Sequence, residues 1–291
     1  MRSVNEVLSA AAPVPAELMR GLADAVTESG ALALKMFRDG VRTWTKDNDS
    51  PVSEADLAID ARLTERLRPL APEAGWLSEE TTDTPDRLDR SLLWIVDPID
   101  GTRSFIAGLP DWTIVAALVE RGRPIAAAIF APATEELFLA TAGGGATRNS
   151  VPIASSTKTS LDSARIAGSR SIVERLARRH KVEKLPGIHS LALRLVRVAT
   201  GEADAALAAA HAHDWDIAAA DLIAREAGGL LTEFDGSIPQ YNRPETRHGA
   251  LAAAGHMLHP ALLCALAESL NKPEKMREYA HDSAKGAPPR E

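Results

Sequence analysis

Leu92-Leu93-Trp94-Ile95-Val96-Asp97-Pro98-Ile99-Asp100-Gly101-Thr102 passes from an unbroken apolar run into two carboxylates, a glycine and a hydroxyl. The apolar part leaves no polar face, so it reads as a buried strand. Pro98 has no N–H for ladder pairing and Gly101 permits a sharp bend, which predicts a strand ending near Val96 and a tight turn after it. In such a turn Asp97 and Asp100 face one pocket. Two carboxylates held close repel and raise each other's pKa, and an oxygen-preferring dication such as Mg²⁺ relieves that repulsion. Asp-Gly alone is an ordinary turn dipeptide. The information lies in the whole string.

Upstream lie Ser50-Pro51-Val52-Ser53-Glu54-Ala55-Asp56 and Gly75-Trp76-Leu77-Ser78-Glu79-Glu80-Thr81; downstream lie Trp215-Asp216-Ile217-Ala218-Ala219-Ala220 and Glu226-Ala227-Gly228-Gly229. Trp215 to Ala227 has apolar residues at helical spacing and stops at the glycine pair, so Asp216 is expected at a helix start, where backbone N–H groups favour anions.

With Asp97-Pro98-Ile99-Asp100-Gly101-Thr102 between them, these segments, in this order, resemble the signatures of the inositol monophosphatase superfamily of Mg²⁺-dependent phosphatases, over roughly residues 15 to 265. The resemblance implies a five-layer αβαβα fold and two or three Mg²⁺ per site. It implies that Glu79, Asp97 and the Ile99 carbonyl hold one ion, and that Asp97, Asp100 and Asp216 hold a second. It implies catalytic roles for Asp56, Glu79 and Thr102, with Thr102 hydrogen-bonded to Asp56 to orient or deprotonate the attacking water. Gly101, Thr102, Arg103, Lys46, Ser190 and Asp216 are the expected substrate-binding residues, although Ser190 also reads as a helix N-cap. The implied partner is a small phosphate ester. A homodimer is implied too.

The chemistry is self-consistent. A phosphate monoester dianion repels hydroxide, so a catalyst must screen its oxygens, generate a nucleophile near neutral pH and stabilise the departing alkoxide. Clustered carboxylates loaded with Mg²⁺ meet all three needs.

Substrate identity divides among branches. Members acting on inositol monophosphate carry an acidic residue about seven positions before the Trp-Asp aspartate, where this chain has Ala208-Ala209-Ala210. Losing a directional acceptor discriminates strongly against a polyol; His211, His213 or Asp214 are the possible substitutes. The strings around Ser53, Glu79 and His213-Asp214-Trp215-Asp216 look like a bacterial CysQ-like group, implying 3'(2'),5'-bisphosphate nucleotidase activity. Gly101-Thr102-Arg103-Ser104-Phe105-Ile106 is similar to histidinol-phosphatases of the superfamily. Arg103 suits bidentate contact with a second phosphate. A regulatory or scaffolding role on a phosphatase fold is the reading of another class, and the retained carboxylates argue against it.

Composition agrees. The chain has 291 residues, 45% hydrophobic and 25% charged, with net charge −7, enough for a substantial core. No basic block points to a nucleic-acid polymer. No signal peptide or membrane span is read, because Glu6, Pro13, Pro15 and Glu17 interrupt the start, and His248 to Ala267 mixes histidine, glycine and Pro260 into its apolar run. A cytoplasmic location is therefore expected. Cys264, the single cysteine, is expected as a small buried hydrophobe among Leu262, Leu263 and Leu266.

Periodicity predicts helices over Pro15 to Phe37, Glu54 to Leu70, Ser171 to Arg179, Ser190 to Ala199, Asp216 to Ala227 and Pro260 to Leu270. Thr113 to Val119, Pro124 to Phe130 and Glu136 to Ala140 predict an antiparallel meander. Gly143-Gly144-Gly145 reads as a plain turn, lacking the strand-to-helix context of a phosphate loop. The expected organisation is an N-terminal α+β half (1–150) carrying the metal loop, a C-terminal α/β half (151–270), and a polar disordered tail (271–291), with the site between the halves.

Overall fold

Along the strand Leu92–Asp100, successive side chains enter two different cores: Leu93 and Ile95 one, Trp94 and Val96 the other. A strand buried on both faces needs a continuous apolar run, and this one has it. The computed structural model describes residues 13–45 and 51–270. Lys46 and the tail 271–291, both assigned expectations from sequence, lie outside the described residues.

The elements are α1 (Ala16–Asp39), β1 (Thr43–Thr45), β2 (Pro51–Ser53), α2 (Glu54–Leu67), β3 (Gly75–Ser78), β4 (Leu92–Asp100), α3 (Thr102–Ile106), β5 (Thr113–Glu120), β6 (Arg123–Ala131), β7 (Glu136–Thr141), β8 (Gly145–Arg148) and β9 (Val151–Pro152). There follow β10 (Arg165–Gly168), α4 (Arg170–Ala177), β11 (Glu183–Lys184), α5 (Leu191–Ala199), β12 (Ala205–Ala208), α6 (Asp214–Glu226), β13 (Gly229–Glu233), β14 (Leu251–Gly255) and α7 (His259–Leu270).

Strands β3 to β9 form a seven-stranded sheet in sequence order, antiparallel except for the β3–β4 pair. The second sheet has the order β11-β10-β12-β14-β13. Three apolar cores separate five layers. Leu22, Val26, Ile59 and Leu63 of α1 and α2 pack on one face of the large sheet. Val196, Ile217 and Leu222 of α5 and α6 fill the space between the sheets. Val173, Leu176, Leu262 and Leu266 of α4 and α7 cover the outer face of the small sheet, on Ile166, Leu207 and Ala254. This is the expected αβαβα sandwich.

Two expectations change. Strand β4 does not end at Val96: Asp97 still pairs with Val115, and Asp100 with Thr113, so three steps along β4 match two along β5. Pro98 withholds its N–H inside a bulge, which re-aims the chain instead of ending the strand. Cys264 is exposed, not buried. Leu262 and Leu266 are four residues apart on the packed face of α7, and a residue midway between them points the other way. Among the described residues no helix is long and apolar enough to cross a membrane.

Candidate active site

The bulge in β4 puts both aspartates of the signature at one end of the large sheet, Asp97 at 1% and Asp100 at 6% exposure. Gly101 then turns the chain with φ 96° into α3. A Cβ there would lie 3.0 Å from the Asp111 carbonyl and 3.3 Å from Ser190 Cα, so glycine is required both by backbone angle and by space.

Asp216 arrives from the first turn of α6, where its Oδ2 accepts from the backbone N of His213 at 2.6 Å. Carboxylate oxygens of Asp97, Asp100 and Asp216 all lie within 4.8 Å of one another. They open, with Glu79, Ile99, Gly101, Thr102 and Arg103, onto a cavity of about 450 Å³. Burial raises Asp97 well above the ordinary carboxylate range, reinforced by Glu79, Asp100, Asp216 and Asp56. Burial raises Asp216 well above it too, with Asp100 and Glu79 adding repulsion.

One atom tests whether these residues fit a cation. Asp97 Oδ1 accepts from the Ile99 N–H at 3.0 Å, but its Oδ2 is buried without a hydrogen-bond partner among the described residues. A buried acceptor normally has a partner. A dication among three converging carboxylates supplies one, and hard oxygen donors are the set that Mg²⁺ prefers.

Asp56 sits behind this cluster. Ser53 caps α2, and Asp56 at the third helical position returns the bond, its Oδ2 accepting from Ser53 N at 2.7 Å and Ser53 Oγ at 2.6 Å. This capping box leaves Oδ1 for Thr102, whose Oγ1 is 3.2 Å away and also 3.0 Å from the Ile99 carbonyl. Burial raises the Asp56 pKa, against the bonds from Ser53 and Thr102. The expected Asp56–Thr102 pair is present.

Ser190 departs from its expected role. It is fully buried, its Oγ accepts from Leu193 N at 3.0 Å as the N-cap of α5, and it donates to Asp100 Oδ2 at 2.5 Å. With its one proton spent, it positions a carboxylate and does not face the cavity. Leu191 and Ala192 N–H groups complete the clamp on Asp100 at 3.1 and 2.7 Å. Burial raises the Asp100 pKa, and the Ser190, Ala192 and Leu191 bonds with Arg194 oppose it.

The possible substitutes for the missing acidic residue are also elsewhere. Asp214 is fully buried, bonded to His248 Nε2 at 2.8 Å and to Asn242 N at 3.1 Å. His213 stacks on Trp215 at 4.4 Å and bonds Thr246. Neither these nor His211 line the cavity.

Arg194, Arg170 and Gly168 do line it, and sequence reading passed over them. Arg194 falls four residues after the Ser190 cap, hence on the same helix face, which was a usable signal. His189 also lines the cavity. Its Nδ1 lies 2.9 Å from Asp111 Oδ2, which also accepts from the His189 backbone N at 2.6 Å, while Ser104 holds Asp111 Oδ1 at 2.7 Å. Burial would raise Asp111, but these bonds outweigh it and hold it below its ordinary value.

The model of the inositol monophosphatase family matches residues 14–271. An inositol-1-monophosphatase of Rhizobium meliloti (strain 1021) is 32% identical over 235 residues, 75% of this chain and 86% of that protein. A histidinol-phosphatase of Mycobacterium tuberculosis is 33% identical over 239 residues, covering 78% and 88%. The crystal structure of the extragenic suppressor protein suhB from Bartonella henselae superposes with TM-score 0.77 at 26% identity, over 86% of this chain and 98% of that one.

Proposed function

Since the chain belongs to the inositol monophosphatase family and is a phosphoric monoester hydrolase, we propose that it uses two or three Mg²⁺ to hydrolyse a 3'(2'),5'-bisphosphate nucleotide to the monophosphate and phosphate. The observation that carries the metal-dependent chemistry is the convergence of Asp97, Asp100 and Asp216 within 4.8 Å around a buried Asp97 oxygen that has no hydrogen-bond partner among the described residues.

Glu79, Asp97, the Ile99 carbonyl, Asp100 and Asp216 are the residues that would hold the ions. When bound, Mg²⁺ screens the phosphate oxygens and lowers the pKa of water. The protein does the rest. Thr102 Oγ1 accepts a proton from the attacking water while its own proton passes to Asp56 Oδ1, a carboxylate already raised by burial toward the basicity this transfer needs. The α5 N-terminus and Ser190 fix Asp100, so that the acidic floor is set before substrate arrives.

The bisphosphate reading draws support from the cavity wall. Outside Glu79, Asp97, Asp100 and Asp216, its charged residues are Arg103, Arg170 and Arg194. Such a wall suits a second phosphate, repels the ammonium group of histidinol phosphate and offers no carboxylate acceptor for an inositol ring. Inositol 1-phosphate is the second reading, favoured by the identity to the Rhizobium enzyme. The regulatory alternative has no use for four converging carboxylates, two of them, Asp97 and Asp100, buried, whose repulsion costs stability unless neutralised. A cytoplasmic homodimer completes the proposal, with light scattering of the purified chain as its test. For the substrate, kcat/KM should be highest for adenosine 3',5'-bisphosphate among it, inositol 1-phosphate and histidinol phosphate. A higher value for either of the others overturns the nucleotide assignment.

A further inference from the structure

Two arginines of α5 are held in opposite ways. Arg197 is charge-compensated, its Nη2 2.6 Å from Glu136 and its Nη1 3.0 Å from Glu202. Arg194 is half-buried and lines the active-site cavity, yet its bonds go to neutral carbonyls: Nε and Nη2 to Ile188 at 3.1 and 2.6 Å, Nη1 to Leu207 at 3.4 Å. Among the described residues no carboxylate lies within ion-pair distance of it. Burial disfavours its charge, against a pull from Asp100 and Asp111. Those three bonds use three of the five guanidinium donors. The carbonyls fix the orientation of the group and leave donors over.

The neighbours sort themselves by the same test. Arg170 is exposed and engaged by Glu174 at 2.9 Å. His189 is steered by Asp111 through Nδ1, which leaves Nε2 for solvent or ligand. Arg103 lies on the wall at the start of α3, next to the proposed catalytic Thr102. The cavity therefore has an acidic floor and, on its wall, the oriented guanidinium of Arg194 from α5 with Arg103 from α3.

We propose that Arg194, assisted by Arg103, is a specificity-determining residue that binds a second anionic group of the substrate, a phosphate or a carboxylate remote from the ester being cleaved. This rests on the phosphomonoesterase reading of the cavity and deepens it, because it names the residue that selects among esters. A guanidinium with donors to spare matches either oxyanion bidentately. A neutral polyol cannot.

The test uses two matched pairs of esters: adenosine 3',5'-bisphosphate against adenosine 3'-monophosphate, and 3-phosphoglycerate against glycerol 3-phosphate. Phosphate release with Mg²⁺ is measured for the wild type, Arg194→Gln and Arg194→Lys. The expected result is a kcat/KM ratio of about tenfold or more in favour of the doubly anionic member of at least one pair. The pair that shows it identifies phosphate or carboxylate as the group read. Arg194→Gln should lower that ratio by about tenfold, and Arg194→Lys, which keeps the cation and guards against misfolding, should retain part of it. Ratios near one in both pairs, or a ratio unchanged in Arg194→Gln, overturn the proposal while leaving the phosphatase assignment standing. If the wild type released phosphate from none of the four, the bisphosphate nucleotidase assignment would fail. Calorimetric binding of the same four compounds then decides the subsite separately: equal affinities within both pairs overturn it, and tighter binding of the doubly anionic member, lost in Arg194→Gln, upholds it.

Discussion

Ser190 donates to Asp100 at 2.5 Å across 90 residues of chain, and through that bond the cap of one helix fixes a carboxylate of the metal loop. The same serine caps α5 by accepting from Leu193 N, so a single hydroxyl serves both the helix cap and the Asp100 carboxylate. Ser190→Ala should leave a folded protein, cost about 1 kcal/mol in stability from the lost cap, and weaken the Mg²⁺ requirement curve about tenfold, because partners of ligands orient them. Titration of activity against Mg²⁺ with a parallel thermal melt checks both numbers. An unchanged Mg²⁺ midpoint would remove the positioning role.

Thr102→Val removes the hydroxyl between Asp56 and the water and should lower kcat by about 10²–10³-fold with little change in KM. Asp56→Asn should cost a comparable factor. The double variant should cost far less than the product of the two, since residues of one proton path act as a unit. Steady-state kinetics on the three variants gives the coupling, and strict additivity would show that the two residues act independently.

Metal-free stability should carry the signature of the buried carboxylates. Burial and mutual repulsion raise Asp97 well above its ordinary value of 3.8. A group whose folded pKa exceeds its unfolded one contributes stability that is fully present below the unfolded pKa and is lost as pH rises through the folded value. In chelator, wild type should therefore melt progressively below Asp97→Asn as pH is raised from 5 to 8. Mg²⁺ at pH 8 should raise the wild-type melting temperature and move the variant much less. Parallel melts at several pH values decide it; a gap that does not change with pH would mean that Asp97 titrates normally in the fold.

Much of this site is legible in the sequence because its parts are local. The bulged turn needs Pro98 and Gly101 beside the aspartates, the capping box needs Ser53 and Asp56 three residues apart, and Asp216 needs a helix start. What sequence could not reveal depends on partners far along the chain. Ser190 reads as an N-cap, which it is, but its donation to Asp100 exists only once α5 meets the end of β4. Arg194 and Arg197 look alike in sequence. Only the folded layers bring Glu136 to one and carbonyl oxygens to the other. Cys264 was misread for a different reason: surrounding leucines suggest burial, but helical phase decides it.

Asp216→Asn should reduce turnover by orders of magnitude in a protein that keeps its fold, since α6 retains its apolar face against both sheets. Near-UV circular dichroism beside the rate assay separates loss of chemistry from loss of structure. Full turnover in the variant would take Asp216 out of the ligand set.

The central claim is that Glu79, Asp97, Asp100 and Asp216 hold divalent cations for phosphomonoester hydrolysis. Its most direct test is phosphate release from adenosine 3',5'-bisphosphate, inositol 1-phosphate and histidinol phosphate by the purified protein, in Mg²⁺ and in excess chelator. The account predicts turnover of at least one ester in Mg²⁺, abolished by chelator and restored by added Mg²⁺. Undiminished turnover in chelator, or none of the three esters cleaved in Mg²⁺, would contradict it.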